Sequence, residues 1–193
     1  MGNNELQDLK TEIQLKAKNG IDFILAAGIV WMGIYIIWTL DYNAYTKSIF
    51  TFIFGAILLP LAFGFSKIFK TEWKIEGNPL QSLGLWLNFA QLIYFPFLIF
   101  ILLRYPDYFI MAYAIITGAH LFPYAWFYDE LGYAVTAVLI SLGSLFIALS
   151  INTDQMAYIP IFTSLTLLSF ALWIFFGNRR LQRRMSNDLQ VRK

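Results

Sequence analysis

The chain reads as an all-α polytopic membrane protein with six transmembrane helices and both termini in the cytoplasm. Three observations carry this reading: six long windows free of charge, a composition outside the soluble range, and a one-sided distribution of lysine and arginine. The windows are 23–40, 48–66, 77–103, 108–128, 131–153 and 155–178. A bilayer core about 30 Å thick is crossed by roughly 20 apolar residues of helix, and each window supplies about that many. Of 193 residues, 59% are hydrophobic and 13% charged, with a mean hydropathy of +0.60. Nearly all of the length is therefore committed to the bilayer, and no soluble catalytic or sensing domain of ordinary size is expected beside it.

The cations set the orientation. Lys10, Lys16, Lys18, Lys67, Lys70, Lys74, Arg179, Arg180, Arg183, Arg184, Arg192 and Lys193 fall on one side of the six-span pattern, and only Lys47 and Arg104 on the other. Positive residues are retained in the cytoplasm, so the twelve-cation side is the inner one. Interfacial aromatics agree: Trp38, Tyr42, Tyr45, Tyr105 and Tyr108 mark outer ends, and Trp73, Trp126, Tyr128 and Trp173 inner ones.

Taken in order, residues 1–19 form an amphipathic cytoplasmic segment, with Leu6, Leu9, Ile13 and Ala17 at helical spacing. This is no secretory signal, because the first apolar run starts only after Gly20 and is long enough to remain as a span. Leu6 stands where a myristoylation motif needs Ser or Thr. The transmembrane domain covers 20–178, with spans at about 21–40, 48–66, 80–103, 108–128, 131–151 and 156–177. Between the second and third spans, Ile68, Phe69, Trp73 and Ile75 alternate with charged residues as a headgroup-level segment would, until Gly77 breaks it. Asn78 then suits an N-cap and Pro79 a first helical position. Asp129–Gly132 leaves room only for a tight turn, so spans four and five form an antiparallel hairpin.

In span five, Ala134, Ala137, Ser141, Ser144 and Ala148 share one face, a small-residue stripe that allows close helix approach to another span or another copy of the chain. The basic tail, 179–193, carries Leu181, Met185 and Leu189 among the arginines Arg179, Arg180, Arg183 and Arg184, with Arg192 and Lys193 beyond. It reads as a topology signal, with anionic lipid as its expected partner at around 1 kcal/mol per cation near the surface.

The candidate ligand-binding residues are Asn88, Gln91 and Tyr94 in span three and His120 and Tyr124 in span four. Asn88 and Gln91 share one helical face, as do His120 and Tyr124. Counted inward from Leu80 and from Tyr128, Asn88 and His120 both lie about 12 Å from the inner edge at 1.5 Å per residue. Polar groups at that depth are costly to leave in lipid, so the two sets should meet in one cluster. Such groups commonly tie helices together at roughly 0.6 kcal/mol per bond. Equally, the only histidine and two helix-bending prolines, Pro96 and Pro123, coincide with the cluster, and the carbonyls of Leu92 and Ala119 that those rings free could accept from a ligand.

Other chemistries find little support. There is no cysteine, and a zinc site needs more than one histidine with Asp22, Asp129 and Glu130 only at the inner edge. No nucleophile elbow occurs, and no carboxylate lies deep in a span. No catalytic residue, metal or cofactor is therefore expected, and a net charge of +2 gives no reason for nucleic acid.

Asn78–Gly84 with Asn88–Gln91 (NPLQSLG and NFAQ) and Gly118–Tyr128 (GAHLFPYAWFY) resemble a family of small six-span bacterial integral membrane proteins of unknown function. That resemblance covers most of the chain and implies the bacterial cytoplasmic membrane, with no residue roles attached. The expected function is binding or transport of a small or amphipathic ligand at the polar cluster. The alternative is a non-catalytic accessory or immunity-type protein acting by helix contact, as a homo-oligomer or with a partner.

Overall fold

The computed structural model describes the backbone of residues 3–191 and the side chains of 4–181. Readings that rest on Arg183, Arg184, Met185, Leu189, Arg192 and Lys193 lie outside the described residues. The chain is all-helical among these residues: α1 (Asn3–Lys16), α2 (Ile21–Thr39), α3 (Ala44–Gly55), α4 (Leu58–Phe69), α5 (Leu80–Leu92), α6 (Phe95–Arg104), α7 (Phe109–Leu121), α8 (Tyr124–Phe127), α9 (Gly132–Ser150) and α10 (Tyr158–Val191). Six helical segments are long and apolar enough to cross a membrane: Lys18–Thr39, Ala44–Phe69, Leu80–Arg104, Pro106–Phe127, Gly132–Ser150 and Thr153–Leu181.

Three spans are broken in two, each just ahead of or at a proline. Pro60 follows the α3–α4 break, Pro96 lies just after the α5–α6 break, and Pro123 occupies the α7–α8 break. A proline ring removes one amide donor and crowds the carbonyl a turn earlier, so the helix yields there. The Ala119 carbonyl expected to be free is taken up locally, accepting from Phe122 N–H at 3.2 Å.

Helices α2 and α10 make the most extensive contact, and α7 with α9 the next. Small residues explain both. On α10, Ser164 donates to the Gly28 carbonyl of α2 at 2.7 Å, and a Cβ on Gly28 would stand 2.7 Å from Leu168. On α9, Ser141 donates to the Ile115 carbonyl at 3.3 Å, and a Cβ on Gly118 would lie 2.7 Å from the Ser141 hydroxyl. The small-residue stripe of α9 thus packs on α7 of the same chain. Ser141→Leu should cost about 1–3 kcal/mol by overpacking, and an unchanged melting temperature in detergent would refute this interface.

Both termini of the bundle meet at one end. Asn19 donates to Asn178 Oδ1 at 3.0 Å, and Asn178 donates to the Lys18 carbonyl at 2.7 Å. Helix α1 crosses this end and is held by the connections on either side. Asn78 Nδ2 donates to the Leu9 carbonyl and to Glu12, Glu72 N–H donates to the Lys16 carbonyl, and Gln14 donates to the Tyr128 carbonyl. The hydrogen bond from Lys16, then that from Asn78, holds the Glu12 carboxyl below its usual pKa. Ile13 is 1% exposed beneath the bundle, and Leu6, Leu9 and Ala17 on the same face are partly covered. The apolar stripe of α1 therefore serves the protein's own core.

Candidate functional site

Helix α5 begins where Asn78 Oδ1 accepts from Leu80 N–H at 3.0 Å, which satisfies one of the amides a helix start leaves unpaired. It then runs along α7 and meets α8 where Gly84 approaches Phe127, packing through its inner face. That face carries Leu80, Leu83, Leu87 and Gln91 and continues past the break into α6 with Phe95 and the fully buried Leu98, spaced by three and four. The rest of this third span is open, with 6% of its apolar window buried against 50% in the first.

One close contact sets the register. A Cβ on Gly84 would lie 2.8 Å from Phe127, so these two residues are level. The helices run in opposite directions, so seven residues counted along each from that contact, across the break at Pro123, put Gln91 and His120 at the same depth to within about one turn. By the same count Asn88 falls opposite Pro123, and Tyr94 opposite Thr117.

The five candidates divide by orientation. Gln91 lies on the packed face of α5 and is half-buried, as is His120, while Tyr124 is 8% exposed. Asn88 and Tyr94 flank Gln91 and are exposed, with the Asn88 amide donating back to the Gly84 carbonyl of its own helix. His120 meets Tyr124 edge to face at 5.4 Å. Among the described residues no hydrogen bond links the two helices at this level. The Gln91 amide and the His120 ring make none at all, and Thr117 donates to its own helix at Tyr113. The buried Tyr124 hydroxyl has no partner among the described residues.

Tyr124 belongs to a larger assembly toward the terminal end. Its ring stacks with Tyr128 at 5.9 Å, and Tyr128 with Tyr133 at 5.4 Å. Tyr133 donates to the Asn19 carbonyl at 2.6 Å. Lys18, Asn19 and Gly20 all hold positive φ, of 48°, 52° and 64°, a left-handed turn that disfavours side chains. Glycine is required at its end, since a Cβ on Gly20 would lie 2.9 Å from the Tyr133 hydroxyl and 3.1 Å from that of Tyr128.

Asp22, one turn into the first span, is 2% exposed and accepts from Thr71 at 2.6 Å, from Trp73 Nε1 at 2.7 Å and from Phe23 N–H at 3.1 Å. The sequence placed Asp22 at the inner edge and Tyr128 as an interfacial anchor, and had no signal for their burial. Among the described residues no three His, Asp or Glu side chains stand where they could hold a metal ion. An open apolar groove of about 320 Å³ lies elsewhere, lined by Ile37, Phe50, Ile53, Phe54 and Ile57, and includes none of the five candidates.

A scan against protein-family models matches residues 6–177 to a family of unknown function, DUF7010. No curated protein and no solved structure matches the chain. With nearly the whole chain covered, this all-helical protein with six apolar spans belongs to the family of unknown function DUF7010.

Proposed function

We propose that this protein binds a small or amphipathic ligand that enters from the bilayer into the seam between α5 and α7–α8, in a bacterial cytoplasmic membrane with both termini inside. Asn88 and Tyr94 form the outer rim of the seam, and Gln91, His120 and Tyr124 its inner wall. One observation carries the reading: at matched depth, Gln91 and His120 hold polar atoms that bond to nothing among the described residues, along a span that the bundle barely covers. In lipid, an unsatisfied polar group is expensive and marks a site where something else supplies the partner. A structural cluster would have closed its hydrogen bonds across the helices, at roughly 0.6 kcal/mol each. Binding is favoured over transport because spans one to three and four to six share no sequence pattern of inverted repeats.

His120→Leu and Gln91→Leu test this directly. Each variant should reach wild-type abundance and melt within a few degrees of wild type, yet lose most of the lipid or small molecule co-purifying with the protein, as read by native mass spectrometry. Loss of abundance with unchanged ligand content in the surviving protein would make the residues structural and sink the site. A reporter fused to either terminus and found outside the cell would overturn the orientation.

A further inference from the structure

We propose that the occupant of this seam is an anionic phospholipid, its phosphate held by Lys10 at Trp126 and its glycerol-ester region by Gln91 and His120. The proposal rests on the reading of the seam given above and adds the class of ligand.

The starting point is Lys10. Lysine is almost never fully buried unless paired, yet this one is 6% exposed. Its ammonium sits 3.9 Å from the Trp126 ring centroid, a cation–π contact, and among the described residues it makes no ion pair and no hydrogen bond. The two ion pairs at this end are Lys16 with Glu12 and Lys74 with Glu76. A cation held in place without an anion favours an incoming one, because ordering Lys10 costs nothing further when the ligand binds.

Lys10 also stands at the right place. The neighbouring Leu9 carbonyl accepts from Asn78 at the start of α5, while the Lys10 ammonium lies on Trp126 of α8. Lys10 thus bridges the two walls of the seam at its terminal end. Trp126 is 50% exposed, as an interfacial tryptophan with one face in the headgroups would be. His120 lies six residues deeper than Trp126, about 9 Å at the helical rise, with Gln91 opposite it. From surface to interior the seam therefore offers a cation, then amide and imidazole donors, then apolar walls with exposed Leu92, Ile93 and Phe97 beside them. A glycerophospholipid presents an anion, then ester carbonyls, then acyl chains in that order. A free phosphate would use only the first of these, and in a zwitterionic lipid such as phosphatidylcholine the choline ammonium offsets the phosphate charge that Lys10 would meet.

The test uses the full-length protein in nanodiscs and in native mass spectrometry, with phosphatidylglycerol and phosphatidylcholine as probes. Wild type should retain phosphatidylglycerol about five-fold better than phosphatidylcholine, the worth of one cation near the surface. Lys10→Met keeps the stem over Trp126 and should remove that preference, while Lys10→Arg should preserve it. His120→Leu should lower retention of both lipids together. Equal retention of the two lipids by wild type, or a preference that survives Lys10→Met, overturns the assignment of an anionic lipid, while a His120 dependence leaves the seam itself standing. Loss of neither lipid in His120→Leu or Gln91→Leu overturns both. Stabilisation by inorganic phosphate that depends on Lys10, with no retained lipid, assigns a free anion and overturns the lipid. If Lys10→Met fails to accumulate, Lys10→Gln and the arginine variant carry the comparison.

Discussion

Gly28→Val is expected to be among the most damaging single substitutions in the bundle, lowering the melting temperature in detergent by roughly 10 °C or preventing folded protein from accumulating. The added Cβ would lie 2.7 and 2.9 Å from Leu168 Cδ2 and Cγ and 3.3 Å from its backbone nitrogen, so moving the leucine side chain alone relieves only part of the clash. At the same point Ser164, with no exposed surface, donates to the Gly28 carbonyl across the α2–α10 contact, and separating the helices breaks that bond as well. Overpacking costs about 1–3 kcal/mol, the exposed buried hydroxyl adds to it, and each kcal/mol lowers the midpoint by about 2–4 °C in a chain of this size. Gly64→Val is the control, because nothing lies within 4 Å of a Cβ at Gly64. Similar melting shifts for the two variants would show that α2 and α10 do not meet through Gly28.

The second large effect is expected at Asp22. Asp22→Ala should release the connection between α4 and α5, raising tryptic cleavage at the exposed Lys70 and Lys74 many-fold and lowering stability by about 2–4 kcal/mol. Asp22 Oδ2 accepts from both Thr71 and Trp73, and Phe23 stacks on Trp73 at 4.8 Å, so one carboxylate ties the connection to the start of α2. Removing it leaves two donors without an acceptor, which costs more than the net worth of the bonds. Trp73→Phe keeps the stacking and removes one donor, so its effect should be smaller, and the double variant should fall well short of the sum of the two. Additive effects, or cleavage no faster than wild type, would show that the carboxylate does not hold the connection.

Both effects concern features of different visibility. The small face of α9 was evident as a stripe of alanine and serine, because a side-chain period of 3.6 projects onto one face whatever lies opposite. Gly28 and Ser164 belong to no such stripe: their importance follows from the partner helix, 136 residues away in the chain. Asp22 looked like an edge residue by position, and was buried because the connection after α4 folds back over it.

The candidate site shows the same division. Counting from the span ends puts Asn88 and His120 at one depth, whereas counting from the Gly84–Phe127 contact puts Gln91, three residues further along, opposite His120. Facing was not fully legible. Asn88 and Gln91 lie about 60° apart around the helix, close enough to share a broad face but far enough that packing on α7 covers one and leaves the other outside. In the sequence Lys10 is one of twelve cations on the same side of the six-span pattern, and nothing local distinguishes it from Lys16 or Lys18. Its burial required α1 to fold under the bundle, where Ile13, Asn78 and Gln14 hold it.

Composition, charge spacing and helical period, all properties of short stretches of chain, sufficed for the all-helical class and for six helices long and apolar enough to span a membrane, because length and apolarity are properties of each helix separately. Which residues meet could be decided only by tertiary packing. The breaks ahead of Pro60 and Pro96 and at Pro123, the left-handed turn at Lys18–Gly20, the Asp22 clamp and the seating of Lys10 on Trp126 all depend on contacts between segments far apart in the chain. No local pattern encodes such contacts, and the bilayer is indifferent to them, since in lipid helix association rests on close fit and on hydrogen bonds that find their partners.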